Sequence, residues 1–279
     1  MSTNVNTIPD VKFNNGVTMP QFGLGTYLTP PGDEAENSVR WALEAGYRKI
    51  DTASFYENEE GVGKGLKASG VSREKVFITT KLWNSEQGYD NTLEAFDRSR
   101  KKLDIDVVDL YLIHWPIKAQ FKDSWRAMEK LYADGKVRAI GLSNFEPDHI
   151  EELKKSCEVS PVLNQVELHP YLNQKHIRDY CEKNDIAVEA WSPIAKGKVL
   201  KDETIRRIAA DHGKNPVQVT LRWELQHGIV IIPKSVHKER IEENMKIFDF
   251  ELSGEEMKQI DALHNGGRLG PHPNDVGGW

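Results

Sequence analysis

The chain has 279 residues, 38% of them hydrophobic and 29% charged, with a formal net charge of −6. No apolar run approaches the roughly 18 residues of a membrane span, and an acidic chain lacks the basic face that nucleic-acid backbones require. Cys157 and Cys181 stand too far apart for a Cys-x-x-Cys pair, so no metal site is expected and both read as reduced thiols.

The opening MSTNVNTIPD has neither basic residues nor an apolar stretch, so no secretory signal is expected and the cytoplasm is the expected compartment. VKFNNGVTM, residues 11–19, sets Asn15-Gly16 between short alternating runs, a hairpin signal that suits a cap on the closed end of a barrel. A first strand is expected at QFGLGT, residues 21–26. Short runs rich in Val, Ile and Leu then end at Asp51, Lys81, His114, Ser143, Gln165, Trp191 and Lys234, each opening into a polar loop. Between them, Asp33 to Ala45, Glu59 to Ser69, Asn91 to Leu103, Lys122 to Ala133, Pro147 to Cys157 and Gln174 to Asn184 carry apolar residues at helical steps. Two further helical stretches, Glu203 to Ala210 and Pro216 to His227, fill the last interval. Ser253-Gly254-Glu255-Glu256 reads as a capping box that opens another helix. The tail NGGRLGPHPNDVGGW, residues 265–279, holds five glycines and two prolines and is expected as loop or disorder.

Eight strands spaced about one βα unit apart predict a (β/α)8 TIM barrel, with the hairpin and the C-terminal loop outside the repeat and residues 1–279 as one domain. A doubly wound sheet is the alternative. It lacks support, because GLGTY at 23–27 misses the third glycine of a dinucleotide loop and GVGKGL at 61–66 falls inside a helix.

Barrel enzymes carry their chemistry where strands end, and here those ends are polar. In DTASFYENEEGVG, Asp51 ends a strand and Tyr56 follows in the loop; VFITTK ends on Lys81, and VVDLYLIHWP brings up His114. Alternation puts Val108, Leu110, Leu112 and His114 on one face, so two readings of the histidine stand: a core imidazole with a hydrogen-bond partner, or a reactive group. Likewise PKSVHKERIEEN, with Lys234, Lys238 and Arg240, reads either as a solvated helix face or as a phosphate grip beyond the eighth strand.

In order along nearly all of the chain, DTASFYENEEGVG, TTKLWN, DLYLIHWP, GLSNF, NQVELHPY, EAWSP and IIPKSVHKERIEEN resemble the signature blocks of the aldo-keto reductase family, most of all its bacterial methylglyoxal and 2,5-diketo-gluconate reductase branch. The resemblance implies NADPH-dependent reduction of aldehydes and ketones, α-dicarbonyls and keto sugars among them, with Asp51, Tyr56, Lys81 and His114 as the catalytic set. It implies that Ser143, Asn144 and Gln165 hold the nicotinamide carboxamide and that Trp191 stacks under the ring, where many relatives have tyrosine. Gly25, Thr26, Asp51, Ser192, Ser235 and Val236 would also meet the cofactor, with Lys234 and Arg240 on the 2′-phosphate and Glu243 and Asn244 at the adenine. Tyr27, Trp83, His114, Trp115 and Trp279 would meet a small carbonyl substrate, and a monomer is expected. The rival readings are an NAD(P)-linked alcohol or sugar dehydrogenase and a cofactor-binding sensor.

The expected chemistry also follows from the residue types. Hydride addition to a carbonyl creates an alkoxide that must be protonated, and a phenol at Tyr56 is the expected acid. An ammonium at Lys81 favours the phenolate, Asp51 holds that ammonium, and a neutral His114 orients the carbonyl oxygen without adding charge. No metal is required. For the tail, two readings stand: a mobile flap over the substrate carrying Trp279, or a frayed terminus.

Overall fold

The computed structural model describes residues 8–279, so most of the opening MSTNVNTIPD, and the signal reading made on it, lies outside the described residues. The strands β1 (Asp10–Lys12) and β2 (Thr18–Pro20) pair antiparallel about the Asn15-Gly16 turn, where Gly16 takes φ +86°. Among the described residues eight parallel strands follow: β3 (Leu24–Gly25), β4 (Lys49–Asp51), β5 (Phe77–Leu82), β6 (Val108–Ile113), β7 (Val137–Ser143), β8 (Leu163–Glu167), β9 (Ala187–Trp191) and β10 (Val230–Ile231). Each pairs with the next in chain order. A bridge between Phe22 and Ile231 closes the ring, with the Ile231 amide donating to Gln21 and the Gly23 amide to Ile231, both at 2.9 Å.

The connecting helices are α1 (Asp33–Glu44), α2 (Glu59–Ala68), α3 (Tyr89–Leu103), α4 (Phe121–Ala133), α5 (Pro147–Lys154) and α6 (Lys175–Lys183). After β9 come α7 (Glu203–Asp211) and α8 (Pro216–Gln226), and after β10 come α9 (Lys238–Asn244), α10 (Gly254–Asp261) and α11 (Pro273–Gly277). Local chemistry starts them as expected: Asn215 and Gln218 close a capping box around Pro216 at the head of α8, and Ser253 with Glu256 does so for α10. The glycines of GVGKGL pack α2 against its neighbours. A Cβ on Gly61 would lie 2.7 Å from that of Ala35 in α1, and one on Gly65 would lie 2.5 Å from the Glu36 carbonyl.

The strand alternation separates two apolar regions. Tyr111 and Ile113 of β6 face the helices with Ile50, Ile78, Ile140 and Leu142, and Val108, at the start of the strand, joins that cluster. Leu110 and Leu112 point inward, packing with Phe77, Ala139, Val162, Leu163 and Val230, and the hairpin closes this interior from below with Phe13 and Met19. Asn14 Nδ2 donates to the Pro161 and Asp185 carbonyls and Asn15 Nδ2 to Arg138, fastening the cap.

The tail is loop over residues 265–272, as expected, and departs from that expectation beyond them. It forms the one-turn helix α11, and Trp279 Nε1 donates to the Pro116 carbonyl at 2.6 Å while its ring lies 4.2 Å from that of His149. Glycine-rich composition reports backbone freedom, and a tertiary anchor overrides it. Among the described residues, no helix is long and apolar enough to cross a membrane and no group of three metal-ligating side chains gathers.

Candidate active site

The inward face of the strands turns polar at their C-terminal ends. Asp51 and Lys81 come from the neighbouring strands β4 and β5, and Lys81 Nζ donates to Asp51 Oδ1 at 2.5 Å, to the Thr52 carbonyl at 3.0 Å and to the Tyr56 hydroxyl at 3.2 Å. All three donors of the ammonium are thereby used. The second Asp51 oxygen accepts from Gln165 Nε2 across the barrel at 2.8 Å. Tyr56 stands in a single turn of 3-10 helix, residues Ser54–Tyr56, which Glu57 ends at φ +56°. His114 follows β6 directly, its amide donating to Leu82, and its ring meets Tyr56 edge-on at 5.7 Å and Trp83 at 5.0 Å.

Burial governs the proton affinities here. Withdrawal from water pushes the Tyr56 phenol up to about 12 against the pull of the Lys81 ammonium. The lysine thus tempers the shift without reversing it, and the phenol stays protonated near neutrality. Burial pulls Lys81 down, but the charges and hydrogen bonds of Asp51 and Tyr56 outweigh it, and its net shift is upward. His114 is held well below the ordinary imidazole value by burial and by Lys81, so it is neutral at pH 7, and its Nδ1 has no hydrogen-bond partner among the described residues.

Opposite these groups, Ser143 Oγ donates to the Gln165 carbonyl, and Asn144 Nδ2 to the His114 carbonyl at 3.0 Å. Asn144 adopts φ +64°, a left-handed conformation costing on the order of 1 kcal/mol for a non-glycine residue. Its Oδ1 accepts from Trp191 Nε1 at 2.8 Å and so pins one edge of the indole.

Apart from the wholly buried Lys81, which lies outside the lining, these groups share a cavity of about 510 Å³. Of the sequence-predicted residues it is lined by Gly25, Tyr27, Asp51, Tyr56, Trp83, His114, Trp115, Ser143, Asn144, Gln165, Trp191, Ser192 and Lys234. Others lie outside the lining. Thr26 is buried behind it, its hydroxyl donating to the Asp51 carbonyl, and Ser235 Oγ turns to the His237 carbonyl. Val236, Arg240, Glu243 and Asn244 sit further along, the last three on α9, where Arg240 is exposed. Trp279 also lies outside the lining: its indole packs on His149, Phe121 and Pro116, and the tail gives Leu269, Gly270 and Pro271 to the cavity wall.

Sequence reasoning passed over several lining residues. Phe55 is 45% exposed and stacks on Trp83 at 3.7 Å with 16° between the planes, and Leu28 is 70% exposed at φ +58°. Lys196, in the loop after β9, also faces the cavity. Phe55 adjoins Tyr56 and Leu28 adjoins Tyr27, so a large apolar residue in a strand-end loop is the available signal. Asn58, wholly buried, bonds to Thr26, Thr29 and Thr52 and ties the loop carrying Tyr27 to the loop carrying Tyr56. Nothing in its sequence context marks it out from a helix cap.

Comparison with known proteins fits this geometry. Residues 21–265 match the Aldo/keto reductase family. The chain is 56% identical over 266 residues to a Bacillus subtilis (strain 168) protein named glyoxal reductase, covering 95% of this chain and 96% of the other. It is 44% identical over 272 residues to the methylglyoxal reductase DkgA of Salmonella typhimurium, covering 96% and 98%. A crystal structure of a Gox0644 mutant in complex with NADPH superposes with a TM-score of 0.92 at 46% identity, covering 96% of this chain and 98% of that one.

Proposed function

Since the chain belongs to the aldo/keto reductase family, we propose that it reduces small aldehydes and ketones with NADPH, α-dicarbonyls such as methylglyoxal and keto sugars among them, with Tyr56 as the proton donor. The observation that carries the reading is the run of contacts from Asp51 through Lys81 to the Tyr56 hydroxyl, which ends beside His114 in one cavity.

The residues fit the cofactor. Two exposed amines, Lys196 and Lys234, line the cavity of a chain whose net charge is −6, which suits a phosphate-bearing ligand. Trp191 offers an aromatic surface held at its nitrogen by Asn144, and Ser143 brings a hydroxyl and Asn144 and Gln165 side-chain amides to the same cavity. When bound, NADPH supplies the hydride. The Tyr56 hydroxyl and the neutral His114 imidazole donate hydrogen bonds to the substrate's carbonyl oxygen and orient it. As that oxygen gains negative charge, Tyr56 hands over its proton, and Lys81 stabilises the phenolate left behind. Asp51 keeps the ammonium in place. Tyr27, Phe55, Trp83 and Trp115 form an apolar surround that excludes water from the transfer. Arg240 and Lys234 take the 2′-phosphate, which favours NADPH over NADH.

Steady-state oxidation of NADPH and NADH with a panel of aldehydes, α-dicarbonyls and keto sugars tests the reading. NADPH turnover with at least one dicarbonyl is expected. Absence of turnover across the panel with cofactor still bound would leave the sensor reading in its place, and preferential NAD-linked oxidation of alcohols would leave the dehydrogenase.

A further inference from the structure

Glu167 ends β8 fully buried, two residues beyond Gln165 and on the same inward face. Its carboxylate takes no part in the chemistry proposed above. Both oxygens are engaged by the tail: Oε1 accepts from the Leu269 amide at 2.5 Å and Oε2 from the Gly270 amide at 3.0 Å. His169 Nε2 lies 3.1 Å from Oε1, and the Arg268 guanidinium 3.9 Å from Oε2. A buried carboxylate that receives adjacent amides of one segment is a directional anchor, because charge-assisted hydrogen bonds in a water-poor site are strong and short.

The anchored segment touches the site directly. Leu269, Gly270 and Pro271 form part of the cavity wall, and a Cβ on Gly270 would lie 2.7 Å from Trp191 Cη2 and 3.3 Å from Glu167 Oε2. The absence of a side chain at position 270 therefore lets the backbone lie against the far edge of the indole. The near edge is held by the Nε1 bond to Asn144. One ring is thus gripped at both ends, by a side chain after β7 and by a tail segment clipped to β8.

We infer that Glu167 is a positioning residue for the cofactor site: by holding the Leu269 and Gly270 amides it fixes the outer edge of Trp191 and so the surface that receives the nicotinamide. The inference rests on the reading of Trp191 as the stacking surface. It gives the tail a task that neither a free flap nor a frayed end performs, with Arg268 to Pro271 acting as a fixed strap.

Calorimetric titration separates the parts, using NADPH and 2′,5′-ADP, which keeps the adenosine phosphates but has no nicotinamide. In Glu167→Gln the side-chain amide turns a donor toward one of the two backbone donors, so one clip is lost with little change of shape. Gly270→Ala disturbs the same edge of Trp191 from the other side. NADPH affinity should fall by about tenfold in Glu167→Gln, as for loss of one charged hydrogen bond, and by a similar factor in Gly270→Ala through the displaced indole, with 2′,5′-ADP affinity unchanged in both. Hydrogen exchange at the 269–270 amides should quicken in Glu167→Gln. Equal losses for both ligands would mean general damage to the barrel and would overturn the inference, as would unchanged NADPH affinity or unchanged amide exchange. If Glu167→Gln fails to fold, Gly270→Ala carries the same comparison. Trp191→Ala in the otherwise wild-type protein tests the parent reading separately: if NADPH affinity holds there, the stacking assignment itself is wrong.

Discussion

The two halves of the barrel interior are built from the same strands and do opposite things. Below, Leu110 and Leu112 of β6 meet Phe77, Ala139 and Leu163 in an apolar plug sealed by Phe13 and Met19 of the hairpin. Above, the same alternation on the same strand brings up His114, with Asp51, Lys81, Ser143 and Gln165 around it, all buried and nearly all hydrogen-bonded. Between the halves lies the wholly buried ion pair of Lys49 and Glu189. The lower half offers cohesion without chemistry. The upper half spends stability on desolvated charge and gains a fixed array of donors and acceptors. Variants matched between the halves should separate these two contributions.

The largest effect is expected from Lys81→Met, which strands the Asp51 carboxylate in the interior. Breaking a buried pair from one side costs about 3–5 kcal/mol, to be read from chemical denaturation. Reduction should fall together with stability, by about 10²–10⁴-fold. Its counterpart below is Leu112→Ala, which opens a cavity in the plug and should cost about 2–5 kcal/mol, with KM and kcat of the folded enzyme unchanged. A rate loss there would show that the halves are mechanically coupled. Tyr56→Phe reverses the pattern: removal of one hydroxyl should cut turnover by at least about 10²-fold while NADPH binding and denaturation midpoint stay where they are. Near-normal turnover would remove Tyr56 from its role.

How far the sequence could be read differs between the same halves. Strand ends were legible because a buried strand must close on polar residues where it meets the loop; Asp51, Ser143 and Trp191 end their strands where the pattern placed them, and His114 lies one residue past Ile113. Lys234 lies beyond Ile231, since Pro233 has no amide to continue the ladder and β10 ends early. The helices agree within one to three residues, the spread expected for frayed ends. The hairpin cap was legible from Asn15-Gly16. What escaped depends on tertiary contact alone: the clip of Glu167 on the tail, Asn58 joining two loops, and Trp279 seated on His149. The tail's composition speaks only of backbone freedom, and the partner that removes that freedom is remote in sequence.

At the outer edge of the upper half, Arg240 stands exposed on α9, away from the cavity lining. If it holds the 2′-phosphate, Arg240→Ala should weaken NADPH by about 1.5–3 kcal/mol, the worth of a charged hydrogen bond, and leave NADH and global stability untouched. Equal losses for both cofactors would contradict the assignment.

The smallest expected effect is the pH dependence that His114 adds from the polar half. His114 is neutral in the folded protein because burial and the neighbouring Lys81 hold its pKa well below 6.5, whereas in the unfolded chain it titrates near 6.5. Below pH 6.5 the unfolded state therefore binds a proton that the folded state refuses. Stability is at its full value above that point and declines as pH falls, by at most about 1.4 kcal/mol per pH unit for one such group. His149 and His227 are also held low, by burial first, and add slopes of the same sign. The diagnostic quantity is thus the difference between wild type and His114→Gln, a side chain that stays neutral in both states. Denaturation of the two proteins between pH 7.5 and 5 should give a shallower decline for the variant. Parallel lines would mean that His114 carries its proton in the folded barrel, and a cationic imidazole would then add charge at the carbonyl oxygen instead of only orienting it.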